Sequence, residues 1–355
     1  MVMGDMDKPR QTFMLDRGLY NKRGEEVTAD VPDTLPSLPK TERPNRLTLA
    51  RWLVDRNHPL TSRVTVNRYW QMLFGTGLVK TAENFGAQAA YPDHPELLDW
   101  LAATFIDSGW NVKDLIRTIV TSETYQRSSV ITSPAAYERD PDNRFLGRGP
   151  RFRLPSWMIR DQALAASGLL NPEMGGKAVF SYQPTGVWAE FTFGKKRYRQ
   201  DKGQALYRRS LYTYWRRIIG PTMFFDVAKR QVCEVKPLRT NTPMHALTIM
   251  NDVTYVEAGR SLADLLLSKP ESDDKRLRLA MKTLLARDPS PEELTVCRRS
   301  LAKAKAIFGA DSDAAKRFLA NGDSANNSEI LPATRAAWAA LCLNLLNLDE
   351  VLNKE

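Results

Sequence analysis

Cysteine is scarce in this sequence: Cys233, Cys297 and Cys342 stand far apart in 355 residues, and no two form a C-x-x-C pair. That spacing excludes a disulfide framework and the usual zinc-ligand patterns. Without C-x-x-C-H there is no attachment point for a c-type haem either. Histidine is as sparse. His58, His94 and His245 are isolated, none with a second ligand at helical spacing, so no metal site is expected. A long apolar run is missing, which excludes a helical membrane span. The opening M-V-M-G-D-M-D-K-P-R has neither a basic stretch nor an apolar core, so no signal peptide is visible. An export signal, if the protein uses one, is expected upstream. There is no phosphate-cradling loop, no nucleophile motif and no repeat of 20–50 residues.

What the sequence has in excess is positive charge. Lys and Arg total 51 against 41 Asp and Glu, a net charge of +10. An anionic partner therefore deserves a hearing, although a basic balance alone also serves solubility. With 43% apolar residues the chain can bury a sizeable core.

Along the chain, residues 1–44 read as extended. One or two short strands fall within T-F-M-L-D-R-G-L-Y, and four prolines follow between Val31 and Pro44. They are expected to be a linker or the tail of a preceding domain. Helical periodicity begins at Asn45, with Leu47, Ala50, Leu53 and Val54 expected inward. Further helices follow over about 62–74, from Pro95 to Gly109, from Asn111 through Val120, and over 155–170. A polar connection occupies 126–154. Between 172 and 238 glycines, aromatics and β-branched residues dominate, with strand-like pieces at Ala178–Tyr182 and Ser210–Trp215. Helices return from Thr242, with a break at Asn251-Asp252, then at about 272–286, from Ser290, and at 333–348. Ser290 with Glu293 fits a capping box. Residues 309–330 read as a mobile loop, and the last helix should bury Trp338, Leu341, Leu345 and Leu348. The expected fold is mainly α, a helical bundle with a small irregular, β-containing insertion around 172–238. A single domain over 45–355 is expected, made of 45–171, the insertion, and 239–355.

Four groups of residues invite a functional reading. In R-T-N-T-P-M-H (239–245), Thr242 and Pro243 open a helix, and Arg239 and Asn241 precede it where free N–H groups and the helix dipole favour an anion. His245, Thr248 and Asp252 share a stripe of that helix, but residues seven apart are about 10 Å apart along it, too far for direct proton exchange. A structural histidine is the plainer alternative. The run from Lys195 to Arg217 has nine Lys or Arg against one acid, Asp201. Tyr198, Tyr207, Tyr212, Tyr214 and Trp215 interleave with Arg208 and Arg209, so the run could hold sulfate, phosphate or carboxylate groups and stack on sugars or bases. Its plainer alternative is a hairpin with solvated charges and buried rings. Asn67 and Arg68 sit mid-helix beside Trp70 and either face a groove or knit the fold; Arg160 and Asp161 pose the same choice. Trp188 and Glu190 resemble a sugar platform with one carboxylate.

Several stretches together resemble a planctomycete C-terminal domain of unknown function. They are N-R-L-T-L-A-R-W-L-V-D (45–55), T-V-N-R-Y-W-Q-M-L-F-G-T-G-L-V (65–79), H-P-E-L-L-D-W-L-A (94–102), T-S-E-T-Y-Q-R-S-S (121–129), R-R-S-L-Y-T-Y-W-R-R (208–217), R-T-N-T-P-M-H-A-L-T-I-M-N-D (239–252) and L-N-L-L-N-L-D-E-V-L (343–352). The resemblance implies an extracytoplasmic protein in which the domain follows a cytochrome-c-like module and a companion domain. Haem would then sit only on that separate module, and this chain would be part of something longer. It brings no catalytic residues. The expectation is a non-enzymatic accessory domain that binds an anionic or polysaccharide ligand or packs on its neighbours. Its candidate contacts are Arg68, Arg208, Arg209, Tyr212, Trp215, Arg239, Asn241, His245 and Asp252. One alternative is a hydrolase or electron-transfer-linked enzyme with a pocket around Arg68, Arg239 and His245. Another, less expected for an exported protein, is nucleic-acid binding through Lys195–Arg217.

Overall fold

The computed structural model describes residues 10–41, 44–216, 219–227, 238–325 and 329–354, with residues 4, 6, 8, 234 and 235. It is mainly α-helical. The chain divides into two compact units, 1–150 and 151–355, so the single domain expected over 45–355 spans that division.

In the first unit, β1 (Thr12–Leu15) and β2 (Arg23–Val27) pair antiparallel. Asn45 then starts α1 (Arg46–Leu53) with a full capping box: its side chain accepts from Leu47 and Thr48 N–H while Thr48 Oγ1 accepts from Asn45 N–H. The buried face of α1 differs from the expected one. Thr48 and Trp52 are buried, while Leu47 and Val54 remain 56% and 51% exposed. Trp52 decides this, because its Nε1 donates to Pro36 O (2.5 Å) and its ring meets His58 edge-on at 4.4 Å. Turning that large ring inward rotates Leu47, Leu53 and Val54 outward. α2 (Thr61–Phe74), α3 (Pro95–Asp107) and α4 (Val112–Val120) share one core built on Val66, Trp70, Leu101, Phe105, Leu115 and Ile119. Asn67, wholly buried on α2, clasps both the N–H and the C=O of Val79 (2.8 and 3.1 Å). A Cβ at Gly77 would lie 2.6 Å from that amide, so only glycine lets the chain pass. The polar connection carries a short α5 (Pro134–Arg139) capped by Ser133.

In the second unit, β3 (Phe152–Arg153) leads into α6 (Ser156–Ala166) and, after a loop, α7 (Val187–Phe191). The expected strand pieces form no ladder. A single bridge joins Val179 to Thr213, and Ser210–Tyr212 is a 3-10 turn. α8 (Pro243–Asn251) and α9 (Val253–Leu267) meet at the break expected at Asp252. α10 (Asp273–Leu285) and α11 (Pro291–Ala310) follow, the latter started by the Ser290–Glu293 capping box. The segment expected as a loop contains α12 (Ser312–Leu319). Asp311 caps it, and burial of Ala315 and Leu319 holds it in the core. α13 (Pro332–Leu346), α14 (Asp349–Leu352) and β4 (Asn353–Lys354), paired with β3, complete the unit. α9 and α13 form its centre, where a Cβ at Gly259 would already stand 3.1 Å from Ala339 O. Trp338 and Leu341 are buried there as expected, but Leu348, two residues past the end of α13, is 37% exposed. Among the described residues no helix is long and apolar enough to cross a membrane.

Candidate ligand-binding site

The second unit contains a hollow of about 480 Å³ beside α6, walled by Trp157, Trp215 and Phe224 and edged by Asp161, Arg209 and Ser210. Arg160, fully buried one residue before Asp161, fixes the edge. Its guanidinium donates to Leu206 O (2.8 Å), Arg208 O (2.9 Å) and Ser210 Oγ (3.2 Å), pinning the irregular segment to the helix. Asp161 accepts from the Ser210 N–H (2.9 Å) and hydroxyl (2.7 Å), yet keeps 28% of its side chain exposed. Arg209 and Leu211, which flank Ser210, are thereby held at the mouth. Trp215 stacks on Phe224 with centroids 5.8 Å apart and lies over Gly220, where a Cβ would approach the indole to 3.2 Å. Thr213 also lines the hollow, but its Oγ1 is sealed from solvent and has no hydrogen-bond partner among the described residues. Aromatic faces beside a carboxylate and a guanidinium can receive a ligand with apolar faces and polar edges.

A second constellation gathers at the start of α8. Arg153 Nη1 donates to Asn241 Oδ1 (3.0 Å), and the Arg239 guanidinium lies 4.4 Å from the centre of the Phe152 ring. His245, in the first turn, stacks on Phe225 at 3.9 Å. Asp226 is occupied by Thr240, accepting from both its N–H (2.6 Å) and its hydroxyl (2.9 Å). Burial lowers the pKa of Arg153 and of Arg239 from the usual arginine value, with nearby Asp349 and Asp226 partly offsetting it at Arg153.

Of the residues expected to bind ligand, Arg209 and Trp215 line the hollow, and Arg239, Asn241 and His245 meet at α8. Arg68 is exposed on α2 in the first unit, apart from both constellations in the chain. Arg208 is buried, donating to Lys177 O (3.0 Å) and Glu173 O (3.2 Å) and stacking on Tyr212, whose hydroxyl accepts from Gly175 N–H. Asp252 caps α9 through Thr254 N–H (2.9 Å), and burial raises its pKa; Thr248 Oγ1 donates to Met244 O. The stripe of His245, Thr248 and Asp252 is therefore spent on three separate local contacts. In the basic run, Tyr198 donates to Ser181 O, its pKa pushed up to about 12 by burial, and Tyr214 stacks on Phe180. Arg217 and Cys233 lie outside the described residues. Trp188 is buried and donates to Gln183 Oε1 (2.5 Å), while Glu190 is exposed.

Trp157, Thr213, Phe224 and Arg153 had escaped the sequence reading. Trp157 offered a signal, an aromatic in the first turn of a helix beside a polar segment; Arg153 offered none. A buried cluster went unnoticed as well. Glu257 on α9 accepts from Tyr182 (2.9 Å) and Tyr207 (2.8 Å) hydroxyls and from Ser324 N–H (2.6 Å), and pairs with Arg260 at 3.4 Å. Among the described residues no group of three His, Cys, Asp or Glu gathers with metal-holding geometry.

No curated protein and no solved structure matches the chain. Residues 45–301 match a family profile described as PSD1, protein of unknown function (DUF1553). The match runs through both compact units and covers more than half of the sequence; the chain belongs to the DUF1553 family.

Proposed function

We propose that this chain is a non-enzymatic accessory domain that binds a polysaccharide in the hollow of its second unit. The observation that carries the reading is an aromatic-walled hollow edged by the Asp161 carboxylate and the Arg209 guanidinium. Sugar rings present apolar faces to indoles and hydroxyls to carboxylates and guanidinium groups, which is the mixture that Trp157, Trp215, Asp161 and Arg209 provide. Arg209 at the mouth favours an acidic sugar. The planctomycete resemblance extends the proposal to an extracytoplasmic setting, with a cytochrome-c-like domain and its companion as neighbours. Haem belongs to that neighbour in this reading.

Affinity electrophoresis through gels carrying neutral, carboxylated or sulfated glycans tests the proposal. Wild type should be retarded by at least one acidic glycan, and Trp215→Ala should lose about tenfold in affinity, the scale of one aromatic contact. Equal mobility in every gel would sink it.

An enzymatic second reading has its best footing in the same hollow rather than around Arg68, Arg239 and His245. Asp161 and Glu234 both line the hollow, and two carboxylates are what glycoside hydrolysis requires. Release of reducing ends by wild type but not by Asp161→Asn would favour it over simple binding. Nucleic-acid binding through the basic run has less support, because Tyr198, Tyr207, Tyr212 and Tyr214 are engaged by protein.

A further inference from the structure

α7 closes in a left-handed turn at Phe193. The Phe193 N–H donates to Glu190 O (3.3 Å) and the Gly194 N–H to Ala189 O (2.7 Å), a pair of bonds with which many helices end. The first residue beyond the cap in that motif is usually glycine, because its φ is positive. Here that residue is a phenylalanine with φ 51°. A bulky side chain in this region costs the fold, and packing does not offset the cost, since Phe193 is 92% exposed. Phe191, the last residue of α7, is 56% exposed as well. Two aromatic rings thus stand in solvent on one short turn.

Positive charge follows at once. Lys195, Lys196, Arg197, Arg199 and Lys202 are all exposed, and among the described residues none of the five forms an ion pair or a side-chain hydrogen bond. The run is tied to the helix end by Thr192, whose Oγ1 accepts from Lys196 N–H (3.1 Å) and whose carbonyl oxygen accepts from Lys195 N–H (3.0 Å). Tyr198 turns inward, its hydroxyl donating to Ser181 O (2.6 Å), and leaves Arg197 and Arg199 in solvent on either side. Two carboxylates belong to the same segment. Asp201 already accepts from Phe180 N–H (2.7 Å), so Glu190 alone is left beside the five cations. Exposed rings next to uncompensated cations fit the boundary of an anionic bilayer, where acyl chains take the rings and lipid phosphates take the charges. A polyanion without hydrocarbon would meet the charges and leave the rings in water.

We propose that the turn over residues 191–202 docks on an anionic lipid surface, with Phe191 and Phe193 entering the headgroup layer and the five cations meeting lipid phosphates. None of these residues lines the aromatic hollow, so the proposal does not depend on the polysaccharide reading.

The full chain is spun down with sucrose-loaded vesicles, either of phosphatidylcholine alone or of phosphatidylcholine and phosphatidylglycerol in equal parts. Wild type should pellet with the anionic vesicles, stay in solution with the neutral ones, and be released progressively by salt. Phe193→Gly should bind the anionic vesicles about tenfold more weakly, the scale of one aromatic ring returned to water. Its melting temperature should not fall, because glycine suits the positive φ, so weaker binding cannot be laid to a damaged fold. Lys195→Glu combined with Arg197→Glu should abolish pelleting, and Trp215→Ala should leave it unchanged. Heparin and a single-stranded oligonucleotide serve as polyanions without hydrocarbon. Wild type that stays in solution with both kinds of vesicle would overturn the proposal. Equal pelleting of wild type and Phe193→Gly would overturn it too, and with equal binding of both proteins to heparin or the oligonucleotide it would assign the turn to polyanions instead.

Discussion

Two buried arginines of the second unit, Arg260 and Arg153, meet opposite fates. Arg260, 1% exposed, donates to Leu319 O (3.1 Å) and to the carbonyl oxygen of Ser324 (2.9 Å), and pairs with Glu257. Glu257 is itself saturated by two tyrosine hydroxyls and a backbone N–H. Desolvation lowers the pKa of Arg260, Glu257 counters it, and the pair ties α9 to the segment after α12. Gly322 belongs to this arrangement, because a Cβ there would fall on the Glu257 carboxyl. Among the described residues Arg153 donates to one amide oxygen and forms no direct ion pair, with Asp349 and Asp226 acting on it from further off. Both leave Nε without a hydrogen-bond partner, so what separates them is the direct carboxylate pair of Arg260, which ties charge and fold together.

The largest expected effect breaks the satisfied side of this contrast. Glu257→Ala strands the Arg260 guanidinium and three further donors, and should cost about 3–5 kcal/mol in urea unfolding. A loss under about 1 kcal/mol would mean that the network is ornamental and the contrast empty. Arg153→Met should change stability by less than about 1 kcal/mol, since it removes a buried charge together with a single hydrogen bond. If it destabilised the unit as much as Glu257→Ala does, Arg153 would be structural like Arg260. The smallest effect concerns an ion pair nearer the surface. Arg287 donates to Glu293 (2.8 Å) and Glu350 (2.5 Å), and chiefly its hydrogen bond holds the Glu293 carboxyl down at about 2, below its ordinary 4.5. A lowered carboxyl pKa stabilises the fold above the unfolded value and loses that contribution as pH falls from about 4.5 towards 2. Glu293→Gln should therefore show a shallower acid loss of melting temperature across that window than wild type. Superimposable curves would remove the pair from the account.

How far the sequence could be read follows the range of the interaction. The Ser290–Glu293 box, the Asn111 cap and the start at Thr242-Pro243 were legible because each is settled within four residues. So was the interruption at Asp252, where one carboxylate ends α8 and begins α9. The inward face of α1 was not, since Pro36, sixteen residues upstream, receives the indole N–H of Trp52. α12 was missed because its composition is polar and its helix depends on core burial of Ala315 and Leu319. Arg209, Trp215, Arg239, Asn241 and His245 were singled out by residue type alone. Their companions Trp157, Thr213, Phe224 and Arg153 were not, because nothing local marks them.

Periodicity, caps and composition determined a mainly helical protein with an irregular middle. Those are properties of neighbours in the chain, and neighbours are what a sequence states directly. Tertiary structure alone decided which distant oxygens meet the two arginines, since Arg260 reaches Leu319 and Ser324 and Arg153 reaches Asn241, 88 residues away. Satisfaction of a buried charge depends on every group that folding brings within about 3 Å, and no single stretch of sequence carries that information.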